Sequence, residues 1–143
     1  MAQPQFIVEG GRRLSGTIRP AGNKNAALPI LCAALLTDQP VTLENVPHIK
    51  DILSLVELIR QAGATAEWTG PNTLVITAKA VRGDTLDPAL CTRIRGSILL
   101  AAPLLARAGE VHLAPPGGDV NGRRRLDTHF LALEALGAEH AFA

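Results

Sequence analysis

Apolar positions along this chain fall into short alternating runs and longer helical stripes. Phe6, Ile7 and Val8, a Gly10-Gly11 turn and a second run over 14–18 predict two short strands. Gly22-Asn23-Lys24-Asn25 then opens a helix over 26–36, with Leu28, Leu31 and Leu35 as its apolar stripe. Asn23 is its expected cap, because the side chain can accept from the first free N–H groups. Pro29 falls in the first turns, where proline is tolerated better than deeper in. Residues 41–43 predict a strand and 51–61 a second helix stopped by Gly63. The runs 64–68 and 73–77 predict a hairpin around Gly70-Pro71-Asn72. Asp87-Pro88 supplies a capping residue and a first-turn proline for a helix running to about Arg107 and ending at Gly109. Beyond it, 111–113 predict a strand, 130–136 a helix stopped by Gly137, and 138–142 the start of another strand.

The pattern repeats. A shift of 70 residues lays 27–35 over 97–105, 41–43 over 111–113, and Asn25 over Arg95. Ala62-Gly63-Ala64 recurs as Leu136-Gly137-Ala138 at an offset of 74, after a longer loop. The unit reads strand, helix, strand, helix, hairpin, which makes the chain α/β, and such units bury their apolar faces against one another. The first unit completes its hairpin, whereas the second stops at Ala143 with an unpaired strand edge. We therefore expect a piece of a longer protein, with repeat one over 22–80 and a truncated repeat two over 81–143.

Composition narrows the class. The chain is 47% hydrophobic and 19% charged, so it is globular and not disordered, while 3% aromatics leave Leu, Ile, Val and Ala to build the core. A net charge of +1 provides no basic field for nucleic acid, and the arginine cluster has only Phe130 nearby for base stacking. No signal-peptide pattern is present, and the longest apolar run, 98–106, contains Pro103 and is too short to span a bilayer. The expectation is a soluble, cytoplasmic chain. Cys32 and Cys91 lie in separate apolar stretches without metal-ligand spacing, and read as buried free thiols.

Candidate chemistry concentrates in 115–129. Two prolines and two glycines bend a loop, Asp119 is a lone carboxylate near its tip, and Arg123-Arg124-Arg125 precede the last helix. Loop N–H groups, a helix start and fixed guanidinium charge together favour an anion. The alternative is a solvated surface charge run. Lys24 and Arg95 repeat the same logic at the starts of the two apolar helices. A lysine at the positive end of a helix is mildly unfavourable unless something negative approaches it.

Three stretches taken together resemble one family. Ala21-Gly22-Asn23-Lys24-Asn25-Ala26-Ala27-Leu28-Pro29, then Arg95-Gly96-Ser97, then Pro116-Gly117-Gly118-Asp119 with Gly122, Arg124, Asp127 and His129 are similar to the UDP-N-acetylglucosamine enolpyruvyl transferases. The resemblance runs from Phe6 to the end of the chain, and family members are roughly three times longer. It implies an inside-out α/β barrel of two domains, each with three βαβαββ units. Residues 1–21 would supply strands to the second domain and 22–143 an incomplete first domain. It implies transfer of the enolpyruvyl group of phosphoenolpyruvate to the sugar nucleotide, the first committed step of peptidoglycan synthesis. No metal or cofactor is implied, and the remainder of the longer chain is the implied partner.

By the same resemblance, Lys24 and Asn25 touch phosphoenolpyruvate and the sugar nucleotide, and Arg95 binds ligand. Arg124 binds both substrates, and Arg125, Leu126, Asp127 and Thr128 continue along the uridine nucleotide. Arg125-Leu126 replaces the family's more usual Pro-Val. Asp119 falls where most members carry the cysteine that the epoxide antibiotic fosfomycin alkylates, and it matches the general acid. Two other readings are a non-catalytic nucleotide-sugar-binding module or truncated inactive product, and the related transferase of the shikimate pathway, whose loop matches less well.

Overall fold

The computed structural model describes residues 5–117 and 125–141. Helix α1 spans Lys24–Ala33, and the Oδ1 atom of Asn23 accepts from the backbone N of Asn25 at 2.8 Å and of Ala26 at 3.2 Å. The chain then tightens into a 3-10 segment, Ala34–Leu36. The expected stripe of Leu28, Leu31 and Leu35 is the buried face. Helix α2, Lys50–Gln61, buries Ile52, Leu55, Val56, Leu58 and Ile59, the spacing that keeps one face of a 3.6-residue helix against a core. Gly63, at φ 97°, turns the chain out of α2 in a left-handed conformation that a Cβ would disfavour.

Three strands follow the alternation. Strands β1 (Val41–Leu43), β2 (Thr65–Gly70) and β3 (Thr73–Thr77) form an antiparallel sheet in the order β1-β3-β2. The register sets Leu74 between Leu43 and Trp68, and Ile76 between Val41 and Ala66. Leu74 and Ile76 are fully buried, whereas Thr65 and Glu67 of β2 are exposed. The inner face packs on α2 and on the 3-10 segment after α1. Fully burying each such Leu or Ile stabilises the fold by about 1.5–3 kcal/mol.

The second unit departs from its expected single helix. Asp87 caps and Pro88 opens α3, but α3 ends at Cys91. A 3-10 segment, Arg95–Leu100, leads directly into α4, Ala101–Ala108. The break has a local cause. Ile94 is extended, and the buried Ser97 hydroxyl lies 3.0 Å from the Cys91 carbonyl and 2.9 Å from that of Ile94. A serine that satisfies carbonyls at a break removes the penalty for leaving the helical ladder.

The two repeat units lie side by side. A Cβ on Gly96 would stand 3.1 Å from Leu28 Cδ1, so the start of the second segment rests on the first turns of α1. At the other end, Arg107 Nη1 donates to the Leu35 carbonyl at 2.8 Å and Nη2 to that of Ala78 at 3.1 Å. Start meets start and end meets end, so the segments run parallel.

Several strand expectations fail among the described residues. Residues 6–8 and 14–18 are not strands, and Phe6, Ile7, Val8, Leu14 and Ile18 are 87–96% exposed. An alternating run becomes a strand only where a neighbouring backbone completes its ladder, and no described strand lies beside it. Residues 111–113 also form no strand. Val111 and Leu113 pack against the core, but the backbone makes an isolated bond, His112 N to the Gly83 carbonyl at 2.8 Å. Residues 138–141 are likewise not extended into a strand. The last helix, α5, spans Asp127–Ala135 and buries no residue.

Candidate active site

The parallel packing brings the starts of α1 and of Arg95–Leu100 to one end of the helix layer. Lys24 is the first residue of α1, and its Nζ lies 2.7 Å from Asp51 Oδ2 in the first turn of α2. Asn25 follows it, exposed, with its backbone N committed to the Asn23 cap. Pro29 has no N–H to return to the Asn25 carbonyl, so the helix does not consume that acceptor in the usual way. Arg95 opens the neighbouring segment, and its Nη2 donates to the Arg125 carbonyl at 3.3 Å.

The loop of 115–129 enters and leaves this end. A Cβ on Gly117 would collide with the Thr92 carbonyl, so the loop begins pressed against the backbone just before Arg95. Where the chain is described again, Arg125 forks onto Asp127, Nε to Oδ1 at 3.1 Å and Nη2 to Oδ2 at 2.7 Å. Leu126 occupies the cap position of α5 without a capping side chain, and Asp127 and Thr128 form its first turn. Asp127 suits that place, since a carboxylate is favoured at the positive end of a helix. The fork also occupies Arg125, whose carbonyl meets Arg95. Lys24, Asn25 and Arg95 thus share one end of the helix layer, and Arg125, Leu126, Asp127 and Thr128 join it through the Arg95 contact. Asp119 and Arg124 lie outside the described residues.

Asp51 is the residue that sequence reasoning missed. Nothing local marks it, because its partner lies 27 positions away. What brings them together is a close approach of two loops, since a Cβ on Gly22 would strike the Asn45 carbonyl and come within 2.9 Å of Pro47 Cδ. The entry to α1 is thereby seated on the connection between β1 and α2.

Chemically, this end offers an ammonium and a guanidinium, both suited to an anion, while the N–H groups of Asn25 and Ala26 are taken by the Asn23 cap. Among the described residues, no three His, Cys, Asp or Glu side chains come together as metal ligands. No helix among them is long and apolar enough to cross a membrane. The thiols are remote from reactivity: burial pushes Cys32 up to about 12 and also raises Cys91.

Comparison with known proteins places the chain in a family. The family model described as EPSP synthase (3-phosphoshikimate 1-carboxyvinyltransferase) matches residues 8–142. A protein named UDP-N-acetylglucosamine 1-carboxyvinyltransferase from Bradyrhizobium diazoefficiens is 71% identical over 139 residues, covering 97% of this chain and 32% of the relative. One of the same name from Treponema denticola is 47% identical over 134 residues, 94% of this chain and 32% of the relative. The crystal structure of the enolpyruvyl transferase NikO from Streptomyces tendae superposes with a TM-score of 0.60 at 38% identity, over 70% of this chain and 23% of that one. The chain spans about a third of the length of the curated relatives it matches. With the family matched from residue 8 to 142 and the architecture shared with a solved enolpyruvyl transferase, the chain belongs to the EPSP synthase family and carries the α/β fold of the enolpyruvyl transferases.

Proposed function

We propose that this chain is about a third of an enzyme that transfers the enolpyruvyl group of phosphoenolpyruvate to the 3′-hydroxyl of UDP-N-acetylglucosamine, releasing phosphate. The observation that carries the reading is 71% identity, over nearly the whole chain, to a protein named for that transfer. The family description mentions 3-phosphoshikimate, but the relatives at 71% and 47% identity carry the sugar-nucleotide name. The enzyme would act in the cytoplasm, in the first committed step of peptidoglycan synthesis.

The chemistry asks for the residues this chain supplies. The sugar hydroxyl adds to C2 of phosphoenolpyruvate while C3 takes up a proton; phosphate then leaves and C3 gives a proton back. The substrate carries a carboxylate and a phosphate, so cations must hold both. Lys24, Arg95 and Arg124 are the proposed clamp, Asn25 a contact to both substrates, and Arg125, Leu126, Asp127 and Thr128 the flank along the uridine nucleotide. Asp119 is the proposed general acid at C3. An ordinary aspartate is ionised at pH 7, so the acid needs either a raised pKa or a proton passed from the substrate phosphate. The 143 residues alone would lack the second domain that closes the cleft, and we propose that they do not turn over.

The test is a chimaera in which this chain replaces the matching 139 residues of the Bradyrhizobium relative. Phosphate release is expected with phosphoenolpyruvate and UDP-N-acetylglucosamine, and none with 3-phosphoshikimate as acceptor. Binding of the sugar nucleotide without phosphate release would establish the non-catalytic alternative instead. Turnover by the 143 residues alone, at the chimaera's rate, would overturn the need for the remaining two-thirds.

A further inference from the structure

We infer that Asp51 is a positioning residue that aims the Lys24 ammonium at phosphoenolpyruvate; the inference rests on the reading of Lys24 as an anion clamp. Lys24 sits at the first position of α1, the positive end, where a cation is mildly disfavoured. Its stem has four rotatable carbons, and the side chain is 45% exposed, so alone it would sample many directions. Asp51 Oδ2 holds Nζ at 2.7 Å. Asp51 lies in the first turn of α2, where a carboxylate is favoured, on a backbone held by the fully buried Ile52 and Leu55.

The pair has little to do with stability. Both partners are more than a third exposed, and an ion pair in that setting contributes little to folding. What it changes is direction. An ammonium has three donors, and giving one to Asp51 leaves two for an incoming phosphate or carboxylate. A fixed carboxylate therefore orients the cation without consuming it. The close seating of Gly22 against Asn45 keeps the two helix starts in register, so that the 2.7 Å contact is built by the fold and not by a chance rotamer.

The experiment uses the active chimaera with Asp51→Asn, Asp51→Glu, Lys24→Ala and the Asp51→Asn/Lys24→Ala pair. Asp51→Asn is expected to raise KM for phosphoenolpyruvate about tenfold, with kcat and KM for the sugar nucleotide within about threefold of the parent. Asp51→Glu should recover part of the loss. In the Lys24→Ala background, Asp51→Asn should add nothing, because there is no ammonium left to aim. A merely structural role would lower the melting temperature and persist without Lys24, which would overturn the inference. An unchanged KM in Asp51→Asn beside a raised KM in Lys24→Ala would overturn it while leaving the clamp standing. Unchanged kinetics in Lys24→Ala would overturn the clamp and this inference together.

Discussion

Helix α1 with its 3-10 extension and the segment Arg95–Leu100 with α4 share an apolar pattern, pack in parallel, and are finished differently. The first unit goes on to β1, α2 and a hairpin whose strands bury Leu74 and Ile76. The second goes on to residues 111–113, which pack apolar side chains against the core but pair with no strand among the described residues. Apolar periodicity therefore suffices for the helices, whose hydrogen bonds are internal. It does not suffice for strands, whose bonds must be supplied by a neighbour. The two starts differ as well. Lys24 meets a carboxylate from another helix, while Arg95 reaches the carbonyl of Arg125 at the far end of the arginine loop. The first unit thus presents a steered point charge, and the second is tied to the loop that holds Asp119.

If that division is right, the largest effect belongs to the second unit's loop. In the active chimaera, Asp119→Ala should lower kcat by about 10²–10⁴-fold. Asp119→Cys should retain activity and gain time-dependent inhibition by fosfomycin, since a thiolate opens an epoxide far more readily than a carboxylate does. Mass spectrometry should find the adduct on residue 119 alone. Burial pushes the Cys32 thiol up to about 12 and raises Cys91 as well, which makes both internal controls. An almost silent Asp119→Ala would make this residue part of a turn and return the loop to a surface role.

The next effect tests the clamp across both units. Lys24→Ala and Arg124→Ala should each weaken capture of phosphoenolpyruvate by about 2–4 kcal/mol, read as the change in kcat/KM. Normal kinetics in both variants would show the cations to be solvated surface charges. The smallest effect separates the two helix starts by packing. Gly22→Ala forces a Cβ onto the Asn45 backbone and should cost about 1–3 kcal/mol in denaturant unfolding. Gly96→Ala meets first the Leu28 side chain, Cδ1 at 3.1 Å and Cδ2 at 3.3 Å, which can yield more readily than backbone, and should cost less than about 1 kcal/mol. Equal losses at both positions would mean that the two starts are seated with equal rigidity.

The sequence by itself determined the elements whose stabilising bonds are local or whose apolar stripe is unambiguous. Asn23 and Asp87 cap where expected, Leu28, Leu31 and Leu35 form the expected buried stripe, α2 forms where expected, and the β2–β3 hairpin forms around its turn. The glycines after α2 and α4 stop them, Gly63 at φ 97° and Gly109 at φ 82°. Charge type and loop composition also single out Lys24, Arg95 and the arginine run as candidates for holding an anion. Only the tertiary structure decided the rest. The break after Cys91 was not legible either, although its cause is local: the buried Ser97 hydroxyl shares its one proton between the nearby carbonyls of Cys91 and Ile94. Among the described residues the tertiary structure leaves 6–8, 14–18 and 111–113 without ladders, because pairing depends on a second backbone. It also sets Asp51 against Lys24 across 27 residues, a contact fixed by how closely Gly22 approaches Asn45. No local pattern encodes that distance, since it depends on where two separately folded helix starts are brought to rest.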